Sequence, residues 1–122
     1  MKIPRLWVCA AFICLLPLSA SAGPGFDCRK ASGDDEAEVC HSKALSRLDR
    51  RMTQLYRTVQ ACSLMGGRGA NRDDQVSWLA ERKLCSADDK CLVAAYDRRI
   101  SQLKPMAAHA RAERKAGHCP DQ

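Results

Sequence analysis

Six cysteines, Cys28, Cys40, Cys62, Cys85, Cys91 and Cys119, stand in a stretch of 100 residues that holds only 14 Ile, Leu, Val and Phe. That proportion lies below the roughly 20% at which a chain begins to look disordered. A core so thin needs covalent help, and a disulfide that restricts the unfolded chain is worth about 3 kcal/mol. An even number of cysteines points to three such bonds, and hence to an oxidising compartment.

The start of the chain agrees with that compartment. Lys2 and Arg5 precede an apolar run from Leu6 to Leu18, and Ala20-Ser21-Ala22 has the small-x-small pattern of a signal-peptidase site. Residues 1–22 are therefore expected to be a cleaved secretory signal, its apolar run being well short of the roughly 20 residues a membrane span needs. Cys9 and Cys14 lie inside that run and lack the small residue before them that lipid attachment requires. A cut after Ala22 leaves 100 of the 122 residues, enough for one domain, and removes two of the 20 basic side chains, leaving 18 against 14 acidic ones and a net charge of +4. The expected location is secreted or periplasmic, where a mildly basic protein meets anionic envelope polymers and other exported proteins rather than nucleic acid. After Ala22 no stretch is apolar enough to enter a membrane.

The rest reads as helix. Ser32 or Asp34 can cap a first helix, with Asp35, Glu36 and Glu38 at its positive end. Leu45, Leu48, Met52, Leu55, Val59 and Cys62 follow at steps of three and four, an apolar stripe along a helix of about seven turns. Lys43, Arg47, Arg50, Arg51, Gln54 and Arg57 occupy the other face. Glycines at 66, 67 and 69 are expected to break the helix, and a second one to begin near Asn71 or Asp73 and run to about Leu84. A third, capped by Asp88 or Asp89, turns Leu92, Tyr96, Ile100 and Leu103 inward. Pro105 is expected to interrupt it, leaving residues 105–122 as a short fourth helix, stopped by Gly117, and a tail. No alternating pattern suggests a strand, so the expected fold is all-α: a small antiparallel helical hairpin bundle stapled by disulfides, with its main body at residues 23–104.

Cys85 and Cys91 fall between two helices, where a disulfide would close the corner of an αα-hairpin. Five intervening residues do not suit a thioredoxin-like redox pair, which has two. Fifteen pairings of six cysteines are open; the favoured one joins Cys28 to Cys40, Cys85 to Cys91 and the remaining Cys62 to Cys119. Zinc is the rival use of the thiols, encouraged by the neighbours Cys40-His41 and His118-Cys119. Adjacent residues rarely face one ion, however, and no two-residue cysteine spacing is present. His41, His109 and His118 have no companion motif of metalloprotease, serine-hydrolase or phosphate-loop type. No cofactor, metal or catalytic residue is expected, and the chain is not read as an enzyme.

FDCRKASGDDEAEVC, LSRLDRRMTQLY, QVSWLAERKLC and CLVAAYDRRISQL, taken together, resemble the LprI-type lysozyme-inhibitor family of small secreted bacterial proteins. The resemblance runs from about Phe26 to Leu103. It rests on Cys28, Glu36, Cys40, Leu45, Asp49 and Tyr56 in the first half, then on Gln75, Trp78, Arg82, Cys85, Cys91, Leu92, Tyr96, Arg99 and Leu103. Cys62, Cys119 and the tail depart from the pattern. The resemblance implies a helical, disulfide-bonded exported domain and, more loosely, inhibition of a lysozyme or related peptidoglycan-cleaving enzyme.

The polar members Glu36, Asp49, Gln75, Arg82 and Arg99 are read first as ties between helices and second as a binding surface. For inhibition the candidates are Arg68, on a protruding glycine loop, and Arg72, because a lysozyme-type site works with two carboxylates that a cation can meet. The competing reading is an envelope-associated module, its basic helix face held to anionic polymers, or an immunity protein with one dedicated partner.

Overall fold

Helices account for all the regular structure in the computed structural model, which describes residues 23–120. The expected signal segment, with Cys9 and Cys14, lies outside the described residues. A 3-10 turn at Cys28–Lys30 leads into α1 (Asp34–His41), α2 (Lys43–Ala61), α3 (Met65–Lys83) and α4 (Asp89–Lys115), with no strand among the described residues. The protein is all-α, with three disulfides.

The helix boundaries differ from the periodicity reading at four places, each for a local reason. Ser42 divides the first long helix: its N–H ends α1 on the Glu38 carbonyl, while its Oγ accepts from Leu45 N and caps α2. Gly33, not Ser32 or Asp34, occupies the N-cap of α1, and Glu36 reaches back to accept from Ser32 N at 2.8 Å. The glycine stretch forms the first turns of α3 instead of a loop. Three contacts hold it there: Arg68 Nε donates to the Ser63 carbonyl, Gln60 Nε2 to the Arg68 carbonyl, and Asn71 Nδ2 to Ser63 Oγ. Tertiary anchoring of this kind outweighs a weak intrinsic propensity. Finally, α4 passes straight through Pro105, so no separate fourth segment begins there. The Ser101 carbonyl, which loses its donor to the proline ring, belongs to an exposed residue that water can reach. Buried Leu103 and Ala107 on either side keep the helix docked.

Successive helices run antiparallel, which leaves α2 and α4 parallel to each other. Their shared seam is most of the core. Leu45, Met52, Leu55 and Val59 of α2 are buried with Leu92, Ala95, Tyr96, Ile100, Leu103, Ala107 and Ala110 of α4. The three alanines allow close approach of the backbones, and each large side chain removed from water contributes about 1.5–3 kcal/mol before chain entropy is set against it. By contrast, α3 buries only Trp78 and Arg82 of its 19 residues. Val39 of α1 completes the cluster.

Two caps sharpen the ends of α4. Asp88 Oδ1 accepts from Cys91 N at 2.8 Å and starts α4. At its other end Gly117 takes a left-handed φ of 77°, with Gly117 N on the Arg114 carbonyl and His118 N on the Glu113 carbonyl, a Schellman ending. The disulfides pair Cys28 with Cys40, Cys85 with Cys91, and Cys62 with Cys119. Loop-closure entropy makes the last, with a sequence separation of 57, worth about 4 kcal/mol, against about 2 for the separation of 6 at Cys85 and Cys91.

A β-carbon at Gly66 or Gly69 would meet nothing within 4 Å. Each of G66A and G69A is therefore expected to raise the unfolding free energy by about 0.5–1 kcal/mol. Denaturant melts followed by helical circular dichroism check this; a loss of stability in both would show that the segment is a turn.

Candidate functional site

The most concentrated polar chemistry in the protein is inside it. Arg82 projects from α3 into the junction of all four helices and is only 3% exposed. Its Nε and NH2 groups both donate to Asp35 Oδ2 of α1 at 2.9 Å, and NH2 lies 3.5 Å from Glu36 at the rim. Its NH1 donates to the Tyr96 hydroxyl of α4 at 3.1 Å and stands 3.8 Å from Asp49 of α2. Tyr96 in turn donates to Asp49 Oδ1 at 2.8 Å. The guanidinium carbon sits 5.7 Å from the centre of the Trp78 ring and 5.9 Å from that of Phe26, distances at which a cation is attracted to an aromatic face. Trp78 meets Tyr96 edge-on at 5.2 Å and donates its indole N–H to the Ala95 carbonyl.

The strand of chain before the 3-10 turn closes this junction. Gly25 N donates to Asp49 Oδ2 at 2.6 Å, the second donor that this buried carboxylate receives. The approach requires glycine, because a β-carbon at residue 25 would lie 2.5 Å from Thr53 Oγ1. Among the described residues Arg82 is thus the one cation paired with the two buried carboxylates, and the Gly25 amide and Tyr96 hydroxyl provide the donors it does not. Burial works against its charge, but Tyr96 and Asp35 together hold its pKa above the ordinary arginine value. Burial first, and the Asp49 carboxylate second, drive the Tyr96 phenol far above its usual range. Tyr96 therefore remains a proton donor, unsuited to acid–base exchange.

A second tie lies along α3 and α4. Arg99 Nε donates to Gln75 Oε1 at 3.1 Å and NH1 to Gln102 Oε1 at 3.3 Å, while Gln75 Nε2 donates to the Met52 sulfur. Burial lowers the pKa of Arg99, and Asp74, Tyr56 and Glu81 counter it. Gln75 and Arg99 of the singled-out polar set thus meet each other, and Glu36, Asp49, Trp78, Arg82 and Tyr96 meet in the central junction. Asp35 was missed as their partner; its signal was a position four residues before buried Val39, on the same helix face.

The outward candidates are elsewhere. Arg68 and Arg72 are exposed on the first turns of α3, Arg72 with Asp73 at 3.8 Å, and neither touches the junction. His118 pairs with Glu113 at 3.1 Å. Among the described residues no three His, Cys, Asp or Glu side chains are grouped to hold a metal ion, and no helix is long and apolar enough to cross a membrane.

The chain is similar to lipoprotein LprI. The likeness is 32% identity over 101 residues, with the Mycobacterium bovis protein (strain ATCC BAA-935 / AF2122/97) and with those of two Mycobacterium tuberculosis strains, CDC 1551 / Oshkosh and ATCC 25618 / H37Rv. The match covers 80% of this chain and 50% of LprI, so the chain spans about half the length of the curated relatives it matches. No family model and no solved structure matches the chain. A match of 101 residues is longer than the stretch from Phe26 to Leu103, so the likeness to LprI reaches beyond the segment in which the polar junction is built.

Two measurements test the junction. R82M leaves Asp35 and Asp49 buried without their cation and is expected to cost about 3–5 kcal/mol; R82M/D35N, which removes one orphaned charge as well, should recover part of that loss. Equal destabilisation of the single and double variants in denaturant melts would contradict the coupling. For Tyr96, a folded pKa raised above the unfolded value of about 10 means that its contribution is complete below that pH and is lost as pH rises. In a Y56F background, absorbance at 295 nm should report phenolate only as helical circular dichroism disappears, whereas ionisation in the folded state would place Tyr96 near solvent.

Proposed function

We propose that the protein is an exported binding protein that inhibits a lysozyme or related peptidoglycan-cleaving enzyme, and that it does so with the corner between α2 and α3. Three disulfides suit an oxidising, extracytoplasmic setting, as does the likeness to a protein named a lipoprotein. The observation that carries the reading is the composition of that corner. Leu64 is 72% exposed and Met65 89%, next to the exposed guanidinium of Arg68. Large apolar side chains held out in water beside a cation are costly for a monomer and useful at a protein interface.

The corner is held firmly enough to serve as a wedge. Arg68 is fixed through Nε on the Ser63 carbonyl, which leaves its two terminal amino groups without a partner among the described residues. Those groups match the pair of carboxylates in a lysozyme-type cleft, where a bidentate guanidinium would be strongest. Leu64 and Met65 would cover the apolar rim and exclude water. Recognition would be short-range, because a basic chain is not steered over distance to the basic lysozymes of animals.

The protein is proposed to act by binding and not by catalysis, since its best-organised titratable groups are buried ties between helices. Lysis of peptidoglycan by a panel of animal and bacterial lysozymes, with and without the purified oxidised protein at micromolar concentration, tests this. Dose-dependent inhibition of one class is expected, with R68A and M65S each weakening it about tenfold or more and R98A leaving it unchanged. No inhibition across the panel would remove the inhibitor reading. Inhibition that survives R68A and M65S would remove the corner.

A further inference from the structure

The geometry points to a second binding site, independent of the inhibitor reading: a groove between α2 and the C-terminal part of α4 that takes a linear, phosphate-bearing polyanion. The groove has a volume of about 710 Å³ and is open to solvent. Arg50 and Arg57 line it from α2, and Arg111 and Arg114 from α4. Gln54 and Thr58 add polar atoms to the lining, to which no carboxylate contributes. Among the described residues none of the ion pairs involves Arg57, Arg111 or Arg114. Arg50, whose NH1 donates to the Gly23 carbonyl, borders the lead-in residues Pro24 and Gly25 that also line the groove.

A concave surface with cations of one sign concentrates field lines and raises the local density of anions. Two details select the kind of anion. Every cation in the lining is arginine, whose planar fork binds phosphate oxygens in pairs, whereas lysine acts as a point charge. The array is also elongated: Arg50 and Arg57 are two helical turns apart, about 10 Å along α2. That spread along one line suits an extended anionic chain better than a single small ion. The helix dipole accounts for basic residues in the last turn of α4, where Arg114 and Lys115 stand, but not for Arg50 and Arg57, which precede the last turn of α2.

The parallel packing of α2 and α4 creates the groove, and the Cys62–Cys119 bond closes its end. That bond draws the chain after α4 to the end of α2 beside Ala61, another lining residue, and so fixes Arg111 and Arg114 across from Arg57.

The test is titration calorimetry of the purified oxidised protein with sodium tripolyphosphate at about 0.15 M salt, where exposed charges a Debye length apart are screened. Binding is expected, and R57Q/R114Q should weaken it about tenfold or more while leaving the melting temperature unchanged. K90Q/R98Q, which removes the same net charge away from the groove, should leave affinity within about twofold. Equal weakening by the two double variants, or absence of tripolyphosphate binding by the wild type, would overturn the proposal. Two further probes decide the chemistry: binding to polyglutamate as tight as to tripolyphosphate would overturn the preference for phosphate, and binding confined to phosphatidylglycerol vesicles would overturn the linear chain in favour of a lipid surface.

Discussion

A single guanidinium holds this small bundle in register. Arg82 is contributed by a helix that buries only one apolar side chain, Trp78, yet it reaches carboxylates on α1 and α2 and a phenol on α4. Taking a cation out of water costs several kcal/mol unless every donor is used, so the arrangement tolerates few alternatives. An apolar side chain in its place could pack against any neighbour, whereas Arg82 specifies three partners at once. The lead-in chain is bound by the same logic, because Gly25 supplies the donor that completes Asp49. The junction therefore confers specificity on a core too poor in aliphatic side chains to define a unique packing alone.

The covalent and non-covalent constraints act on different parts. The disulfides fasten the ends of helices: the turn before α1, the α3–α4 corner, and the far ends of α2 and α4. The polar junction ties the start of α1 and the end of α3 to the bodies of α2 and α4. Between them the α2–α4 seam supplies most of the apolar burial. With its interior arranged as ties, the chain has its outer corners and grooves left for recognition, which is where both proposals place it.

Much of the architecture was legible because helical periodicity survives in a chain of this composition. The stripe from Leu45 to Val59 is the buried face of α2, and Asp88 and Gly117 mark the two ends of α4 by cap chemistry alone. The start of α3 was not legible, because the contacts that override its glycines come from Gln60 and Ser63 on the preceding helix and corner. Pro105 misled for a related reason: an exposed carbonyl can lose its helical donor to water, and exposure is a tertiary property. Among the polar residues, the set of Glu36, Asp49, Arg82 and Tyr96 was visible as a pattern, but its convergence on Asp35 was not. The groove was invisible in sequence, since Arg57 and Arg114 become neighbours only when α2 and α4 lie side by side.

The placement of the three disulfides also determines what a single backbone cut can do. Cys62–Cys119 brackets the whole of α3 and α4, and Cys28–Cys40 brackets most of α1, so a nick within either span leaves both fragments covalently joined. Between Cys28 and Cys119 only residues 41–61 lie outside every bracket, and nearly all of them belong to α2. Proteases act on extended backbone, and α2 has its backbone hydrogen bonds made and its inner face buried. The exposed corner at Leu64 and Met65 lies inside the larger bracket, so cleavage there would not release a fragment.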